Sequence, residues 1–416
     1  MLLLKYFPNR LLTSLGLLAS VAGTARADWP EFRGPSAQGV VNVQLPTSWS
    51  SEQNVAWRRE LPGEGWSSPV VSGNRIYLTA AIPQDSAGYR LALLVVNADT
   101  GELLSDVKLF EQSPDAPRIH TKNSHASSTP VIDGQVIYVH FGHQGTACCR
   151  LDGSVVWENS ELSYQPVHGN GGSPVVTEKS LIFSRDGRLI SQVTALNKAN
   201  GNLLWQSERG IEVQNRFSFC TPLLIEHADR QQLVIPGSGI VQSLDPATGD
   251  ELWRVLYSGY SVVPRPIYHS GLVFVSTGYD RAKLLAIDPS GQGDVTESHV
   301  LWTCDSTVPN TPSLVGWQSF VVMLSDKGIA SCLHAKTGEL AWKIRLGGDF
   351  SASPILADNR LYAISEAGVC TVIDLTAGQA EVVSRNDLGE RTLASPAIIE
   401  NDLLIRTANA LYRISQ

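Results

Sequence analysis

Pro69-Val-Val-Ser-Gly-Asn-Arg-Ile-Tyr-Leu78 is the first copy of a phrase that occurs eight times in this 416-residue chain. Each copy has a proline, a few apolar residues, a polar turn and a second apolar run. The eight prolines are Pro69, Pro130, Pro174, Pro222, Pro266, Pro312, Pro354 and Pro396. Seven of them follow Ser or Thr, and only Arg265 breaks this rule. Successive prolines lie 61, 44, 48, 44, 46, 42 and 42 residues apart, a period that predicts a propeller or a solenoid.

Each repeat reads as four strands. The two apolar runs of the phrase flank Gly- or Asn-containing turns such as Gly73-Asn74, which suit a β-hairpin. A third strand ends in a turn that is often Thr-Gly, and the fourth strand often carries a tryptophan. These tryptophans are Trp157, Trp205, Trp253, Trp302 and Trp342. Four strands per repeat predict a propeller blade, and the regular tryptophans predict packing between blades.

The two ends of the chain predict how the ring closes. The last repeat, from Pro396 to Gln416, has room for three strands at most, and an isolated tryptophan strand, Asn54-Val-Ala-Trp57, precedes the first repeat. Pairing this N-terminal strand with the C-terminal ones would complete an eighth four-stranded antiparallel blade and remove two exposed edges. We therefore predict an all-β, eight-bladed propeller. The alternative is seven blades and an unpaired N-terminal strand.

Residues 1–27 predict a signal peptide. Lys5 and Arg10 supply positive charge, Leu11 to Ala22 are largely apolar, and Ala25-Arg-Ala27 fits a cleavage site. The protein is therefore predicted to be periplasmic or secreted, with an uncleaved membrane anchor as the alternative. No cysteine lies near the cleavage site, which argues against a lipid anchor there.

Residues 28–416 contain no linker-like tract and are predicted to form one propeller domain. The chain is 43% hydrophobic and 17% charged, as in globular proteins. Because the first 27 residues hold three basic residues and no acidic one, the remainder has 29 basic and 40 acidic residues, a net charge of −11. An acidic surface without basic runs argues against nucleic acid as a partner.

Loops that enter the innermost strands, and loops between second and third strands, are expected to gather at one end of the channel. They are rich in polar residues, and loops on a rigid scaffold often bind ligands. The predicted ligand-binding residues of this channel face are His125, His143, His168, Asn170, Arg216 and Arg265. Alternatively, these groups bond neighbouring blades and water. We predict no metal site, because the spacing of the histidines does not show that they converge.

The proline phrase, the Leu-Asp-x-x-Thr-Gly turn and the tryptophan strand resemble the pyrroloquinoline-quinone-like (PQQ-like) propeller repeat. Asp28-Trp-Pro-Glu-Phe-Arg-Gly-Pro35 and Gly65-Trp-Ser-Ser-Pro-Val70 resemble its secreted bacterial branch. The resemblance implies one of two kinds of protein. Some members are quinoprotein dehydrogenases, and others resemble BamB, a non-enzymatic scaffold for outer-membrane barrel assembly.

The resemblance to the dehydrogenases implies a disulfide between the adjacent Cys148 and Cys149, beside a quinone. The two cysteines lie on a predicted third strand, however, where successive side chains point to opposite faces. This alternation instead predicts that one cysteine points inward as a core thiol and that the other points outward with no particular role.

An enzyme of this type would need PQQ, Ca²⁺ with oxygen ligands, and a carboxylate base. Asp186, Asp280, Asp326 and Glu366 are available, but no local motif singles them out. We therefore predict a non-catalytic binding or scaffold protein that takes a protein partner or a small ligand at the channel face, without a cofactor. The alternative is a PQQ-dependent oxidoreductase acting on an alcohol or sugar. Carbohydrate binding or cleavage by the tryptophans is a third hypothesis.

Overall fold

A computed structural model describes residues 29–85, 88–376 and 378–416, so the predicted signal peptide lies outside the described residues. The described residues form eight sheets, which confirms the predicted all-β, eight-bladed propeller of four-stranded antiparallel blades. The only helical element among them is one short 3-10 turn, Gly142–Gln144. No helix in these three ranges has the length and apolar character needed to cross a membrane.

The strands follow the repeat, and blades are numbered here by the chain order of their innermost strands. Two strands precede the first of these: β1 (Val40–Val41) and β2 (Val55–Glu60). Blade 1 contains β3 (Val70–Ser72), β4 (Arg75–Pro83), β5 (Tyr89–Asn97) and β6 (Leu103–Gln112). Blade 2 contains β7 (Val131–Asp133), β8 (Val136–His140), β9 (Thr146–Arg150) and β10 (Val155–Asn159). Blade 3 contains β11 (Val175–Val176), β12 (Ser180–Asp186), β13 (Ser191–Asn197) and β14 (Leu203–Glu208).

Blades 4 and 5 are joined by a short additional strand. Blade 4 contains β15 (Leu223–His227), β16 (Arg230–Gly237), β17 (Ile240–Leu244) and β18 (Glu251–Leu256). Blade 5 contains β19 (Ile267–His269), β20 (Leu272–Ser276), β21 (Leu284–Ile287) and β23 (Val300–Cys304). Between its last two strands, β22 (Gly293–Asp294) pairs in parallel with the outer edge of blade 4.

Blades 6, 7 and 8 complete the ring. Blade 6 contains β24 (Val315–Trp317), β25 (Phe320–Leu324), β26 (Ile329–His334) and β27 (Leu340–Arg345). Blade 7 contains β28 (Ile355–Ala357), β29 (Arg360–Ile364), β30 (Val369–Leu375) and β31 (Ala380–Asp387). Blade 8 contains β32 (Ala397–Ile399), β33 (Asp402–Arg406) and β34 (Ala410–Ile414).

The ring closes as predicted. Strand β2 pairs antiparallel with β34 and becomes the outermost strand of blade 8, with Val55 opposite Ile414 and Glu60 opposite Ala410. Strand β1 adds a parallel fifth strand to the inner edge of blade 7. Residues from both ends of the chain therefore lie in the same sheets, which covers edges that would otherwise be exposed.

Tryptophans of the outermost strands dock against the next blade, which confirms the predicted packing. The indole nitrogens of Trp57, Trp157 and Trp302 each donate to a main-chain carbonyl of the following blade at 2.9–3.0 Å. The ring lies against a glycine of that blade's Thr-Gly or Asn-Gly turn. At Gly201, which has φ +76°, a Cβ would come within 2.6 Å of the Trp157 ring. These glycines therefore supply both a left-handed backbone and room for the indole.

Cys148 and Cys149 are both free and buried, and they face opposite sides of blade 2. Cys149 packs in the hydrophobic cluster shared with blade 1, whereas Cys148 packs with Tyr138 and Trp157 in the cluster shared with blade 3. Burial raises the pKa of the Cys148 thiol to about 11 and that of Cys149 to about 12. The strand alternation is confirmed, but the prediction that one thiol points outward is wrong. Each face of blade 2 packs against a neighbouring blade, so both cysteines are small core residues.

Hydroxyl groups link the blades around the channel. The residue before most repeat prolines donates its backbone N–H to the hydroxyl of the equivalent residue in the next blade. These bonds run Ser68 to Thr129, Thr129 to Ser173, Ser173 to Thr221, Arg265 to Ser313, Ser313 to Ser353 and Ser353 to Ser395, at 2.8–3.0 Å. We call these seven Ser and Thr residues the hydroxyl ring. In blade 6 its member is Ser313, which follows Pro312, rather than Thr311, which precedes it.

Replacing Gly201 by alanine tests the tryptophan docking. Gly201→Ala should lower the free energy of unfolding by about 1–2 kcal/mol for the left-handed backbone and by about 1–3 kcal/mol more for the clash with Trp157. Gly271→Ala is the matched control, because Gly271 has φ +81° and nothing lies within 4 Å of a Cβ there. The measurement is the thermal unfolding midpoint of both variants, and equal losses would contradict the docking role.

Candidate binding cavity at the channel mouth

A cavity of about 820 Å³ lies at the end of the channel where the entering loops gather. All eight blades contribute to its lining, and loops between second and third strands add Tyr279, Asp326 and Lys327. The hydroxyl ring lines its deeper part, together with Phe32. A volume of this size is typical of small-molecule sites.

The N-terminal residues 29–39, called the plug here, cross the opposite end of the channel. They contact residues in, or just before, the innermost strands of five blades. Trp29 bridges to Val71, the Pro30 carbonyl accepts from Ile132, the Phe32 carbonyl accepts from Arg265, Arg33 donates to the Leu314 carbonyl, and the Gly39 carbonyl accepts from Leu356. The bond from Arg265 to the Phe32 carbonyl measures 2.7 Å, and the bond from Arg33 to the Leu314 carbonyl measures 2.6 Å. The plug therefore forms the floor of the cavity.

Arg265, the exception in the proline rule, holds the plug in place. Its side chain is 1% exposed. The guanidinium donates to the Pro222 carbonyl at 2.9 Å and pairs with the Glu31 carboxylate at 2.8 Å. A hydroxyl at this position could not reach the plug, so the exception in the repeat has a structural reason.

Residues 119–123, called the strap, extend over the mouth of the cavity. At one end Ile119 bridges to His168 in the loop of blade 3. At the other end the Lys122 ammonium pairs with the Glu366 carboxylate of blade 7 at 2.7 Å. The strap belongs to the longest interval between repeat prolines, and it lies between the cavity and solvent.

One side of the cavity is aromatic. Six rings from the loops of blades 2 to 5 form a continuous chain of contacts, called the aromatic wall: His120, His168, Phe217, Phe219, Tyr260 and Tyr279. Neighbouring centroids are 5.3–6.0 Å apart, and most pairs meet edge to face, as between His168 and Phe217 at 86°. This arrangement suits the quadrupoles of the rings.

The opposite side carries charges that are already paired. Besides Lys122 and Glu366, Lys327 pairs with Asp349 at 2.7 Å. Burial alone would raise the pKa of the Glu366 carboxyl, but the bonds from Lys122 and Ser351 outweigh burial and hold this pKa below its ordinary value. These side chains therefore stay ionised at neutral pH, and each charge has a partner of opposite sign.

The predicted binding residues do not all lie together. His168 lines the cavity, and Arg216 lies between two lining residues, Asn215 and Phe217. Arg265 lies beneath the cavity in contact with the plug. Sequence reasoning missed the strap, and the only signal for it was the interval of 61 residues between the first two prolines.

His125, His143 and Asn170 form a separate polar cluster between blades 1, 2 and 3. The Tyr164 hydroxyl donates to Asn170 Oδ1 at 3.2 Å, and the ring of His143 lies 6.3 Å from that of Tyr164. His125 packs against Tyr89. Burial lowers the pKa of both histidines, so they are neutral at pH 7.

His140, which the sequence did not single out, lies at the buried end of this cluster. Its side chain is 1% exposed, and Nδ1 bonds the Thr146 hydroxyl at 2.8 Å. Burial, together with the nearby Arg185 and His143, lowers its pKa to about 3. The ring is therefore neutral throughout the physiological range.

The carboxylates at the mouth do not fit a PQQ–Ca²⁺ site. Asp326 accepts from the Asn310 backbone at 2.6 Å and from the Thr311 hydroxyl at 2.7 Å. Glu366 and Asp349 each pair with a lysine. A hard cation needs several oxygen ligands at one point, and among the described residues no three Asp, Glu, His or Cys side chains come together.

Comparison with known proteins gives the family. The family model described as "Outer membrane protein assembly factor BamB" matches residues 47–163, 92–323 and 293–412. The chain belongs to this family. It is 23% identical over 230 residues to the BamB of Yersinia pestis, a match that covers 50% of this chain and 56% of that protein. The chain therefore spans little more than half of this curated relative.

Solved structures share the fold. BamB from Moraxella catarrhalis matches with a TM-score of 0.59 and 15% identity over 86% of this chain and 99% of the other. A europium-containing methanol dehydrogenase matches with a TM-score of 0.68 and 9% identity over 92% and 90%. The computationally designed Ika8 protein matches with a TM-score of 0.61 and 14% identity over 85% and 98%.

His140 should make the protein sensitive to acid. Because its folded pKa is about 3 and the unfolded value is about 6.5, only the unfolded state binds this proton as the pH falls between them. Wild type should lose up to about 2 kcal/mol more than His140→Gln between pH 7 and pH 5. The measurement is the unfolding midpoint of wild type and His140→Gln at both pH values. His299→Gln, which replaces a partly exposed histidine, is the control. Equal losses in wild type and His140→Gln would contradict it.

Proposed function

We propose that this protein is an exported, non-catalytic binding or scaffold protein that acts in cell-envelope protein assembly. The observation that carries the proposal is a cavity mouth in which Lys122 and Lys327 already pair with Glu366 and Asp349, and Asp326 already accepts two protein hydrogen bonds. Membership of the BamB family and the predicted signal peptide support it. The strap and the loops around it would offer the partner a continuous surface.

The alternative is a PQQ-dependent oxidoreductase that acts on an alcohol or sugar. The aromatic wall favours it, because a planar cofactor needs an apolar surface to lie on. The paired carboxylates oppose it, because Asp326, Asp349 and Glu366 would each have to exchange a protein partner for the cation.

A photo-crosslinking amino acid at position 279 tests the scaffold role in the native host. Tyr279, in a loop of blade 5, lies at the mouth and is 57% exposed. Leu340, in blade 6, lies at the end of the propeller away from the mouth and is 54% exposed, so it is a control of matched exposure. We expect the probe at 279, but not at 340, to capture an outer-membrane protein or a component that assembles such proteins. Capture of the same proteins at both positions would contradict a role for the mouth.

Titration of the purified mature protein with PQQ and Ca²⁺ tests the alternative. We expect no rise in the thermal unfolding midpoint and no dye-linked oxidation of alcohols or sugars. A ligand that binds only the folded state would raise the midpoint. A rise with turnover would overturn the proposed function.

A further inference from the structure

Donor groups surround the deep end of the cavity. A hydroxyl that accepts a backbone N–H still has its own O–H to donate. Among the described residues, no acceptor is found for the hydroxyl protons of Thr129, Ser173, Thr221 and Ser395, all of which line the cavity. A ligand in the cavity would therefore meet an arc of O–H donors above the plug.

An acceptor without a partner also lies in the lining. Asn310 Oδ1 is shielded from solvent and has no hydrogen-bond donor among the described residues. A buried acceptor left unpaired is destabilising, because it has lost its hydrogen bonds to water without replacing them. The lining of the cavity is thus complementary to a ligand that both donates and accepts hydrogen bonds, as hydroxyl groups do.

The charges at the mouth favour a neutral ligand. Lys122 and Lys327 are each neutralised by a carboxylate, and Asp326 is held by two protein donors. A charged ligand would lose its hydration on entering and would have to break an ion pair to gain a partner. An uncharged ligand avoids both costs.

The aromatic wall supplies the apolar part of the site. Aromatic rings pack against the C–H-bearing faces of sugar rings, while sugar hydroxyls need donors and acceptors around them. Tyr260 and Tyr279 also present hydroxyls at the edge of this wall. The combination of aromatic rings on one side with hydroxyls and an amide on the other matches the apolar and polar surfaces of a carbohydrate.

We propose that the cavity between the plug and the strap binds a neutral carbohydrate, with its ring faces on the aromatic wall and its hydroxyls toward the hydroxyl ring and Asn310. This inference goes beyond the proposed function, because a scaffold role requires no small ligand in the cavity. It also differs from carbohydrate binding by the strand tryptophans, which pack between blades.

A printed array of neutral and acidic glycans, probed with the full mature protein, tests this inference. The glycans that bind are then measured by titration calorimetry with three variants. Tyr260→Ala removes a half-buried ring of the wall, and Tyr279→Ala removes a ring of the wall that is 57% exposed. Tyr268→Ala is the control, because Tyr268 is also half-buried but bonds His227 away from the cavity.

We expect at least one neutral glycan to bind wild type and Tyr268→Ala equally, and to bind Tyr260→Ala or Tyr279→Ala at least tenfold more weakly. Binding of no glycan, binding of acidic glycans only, or affinities that neither wall variant lowers would overturn the inference. The outcome of crosslinking at position 279 does not depend on any of these results. Failure of the carbohydrate site and failure of the scaffold role are therefore distinguishable.

Discussion

The structure depends on a hydrogen bond that passes from blade to blade around the channel. Proline has no N–H, so the residue before it carries the last backbone donor to be satisfied near the axis. The hydroxyl of the equivalent residue in the next blade accepts it, as from Ser68 to Thr129. One Ser/Thr-Pro motif supplies both the donor and the acceptor, so repeating the motif repeats the bond. The same bonds use the hydroxyl oxygens of Thr129, Ser173, Thr221 and Ser395 as acceptors and leave their protons without a protein acceptor among the described residues, which couples the construction of the ring to the chemistry of the cavity.

Arg265 shows what happens where the repeat departs from this rule. Its backbone still donates to Ser313, but its side chain extends beneath the ring and binds the Phe32 carbonyl and Glu31. A buried cation that loses its partner typically costs a protein 3–5 kcal/mol. The plug therefore stabilises Arg265 as much as Arg265 holds the plug. This mutual dependence explains why a ring already closed by β2 also retains residues 29–39 across its channel.

The repeat made most of the fold predictable, because the same residues recur at the same places in each blade. Turns, blade number, closure by Trp57 and its strand, and the opposite facing of Cys148 and Cys149 all follow from local patterns. The strap and the plug could not be predicted in this way. Lys122 meets Glu366 across 244 residues of chain, and no periodic signal reports how far a loop extends over the axis. Because the reach of each loop could not be predicted, the six candidate residues do not form one site. They lie in three places: at the cavity, in the polar cluster around His143, and against the plug.

The electrostatics of the mouth follow from its enclosure. Ion pairs strengthen and unpaired charges become costly as water is excluded, because the effective dielectric constant falls. A cavity with a plug below and a strap above is therefore stable only if its charged groups are paired, as Lys122 and Glu366 are, or lie at its exposed rim. The two ion pairs at the mouth therefore add nothing to the net charge of −11 on residues 28–416. Discrimination inside such a cavity rests on hydrogen-bond complementarity and ring contacts, since net charge is not available there to select a ligand.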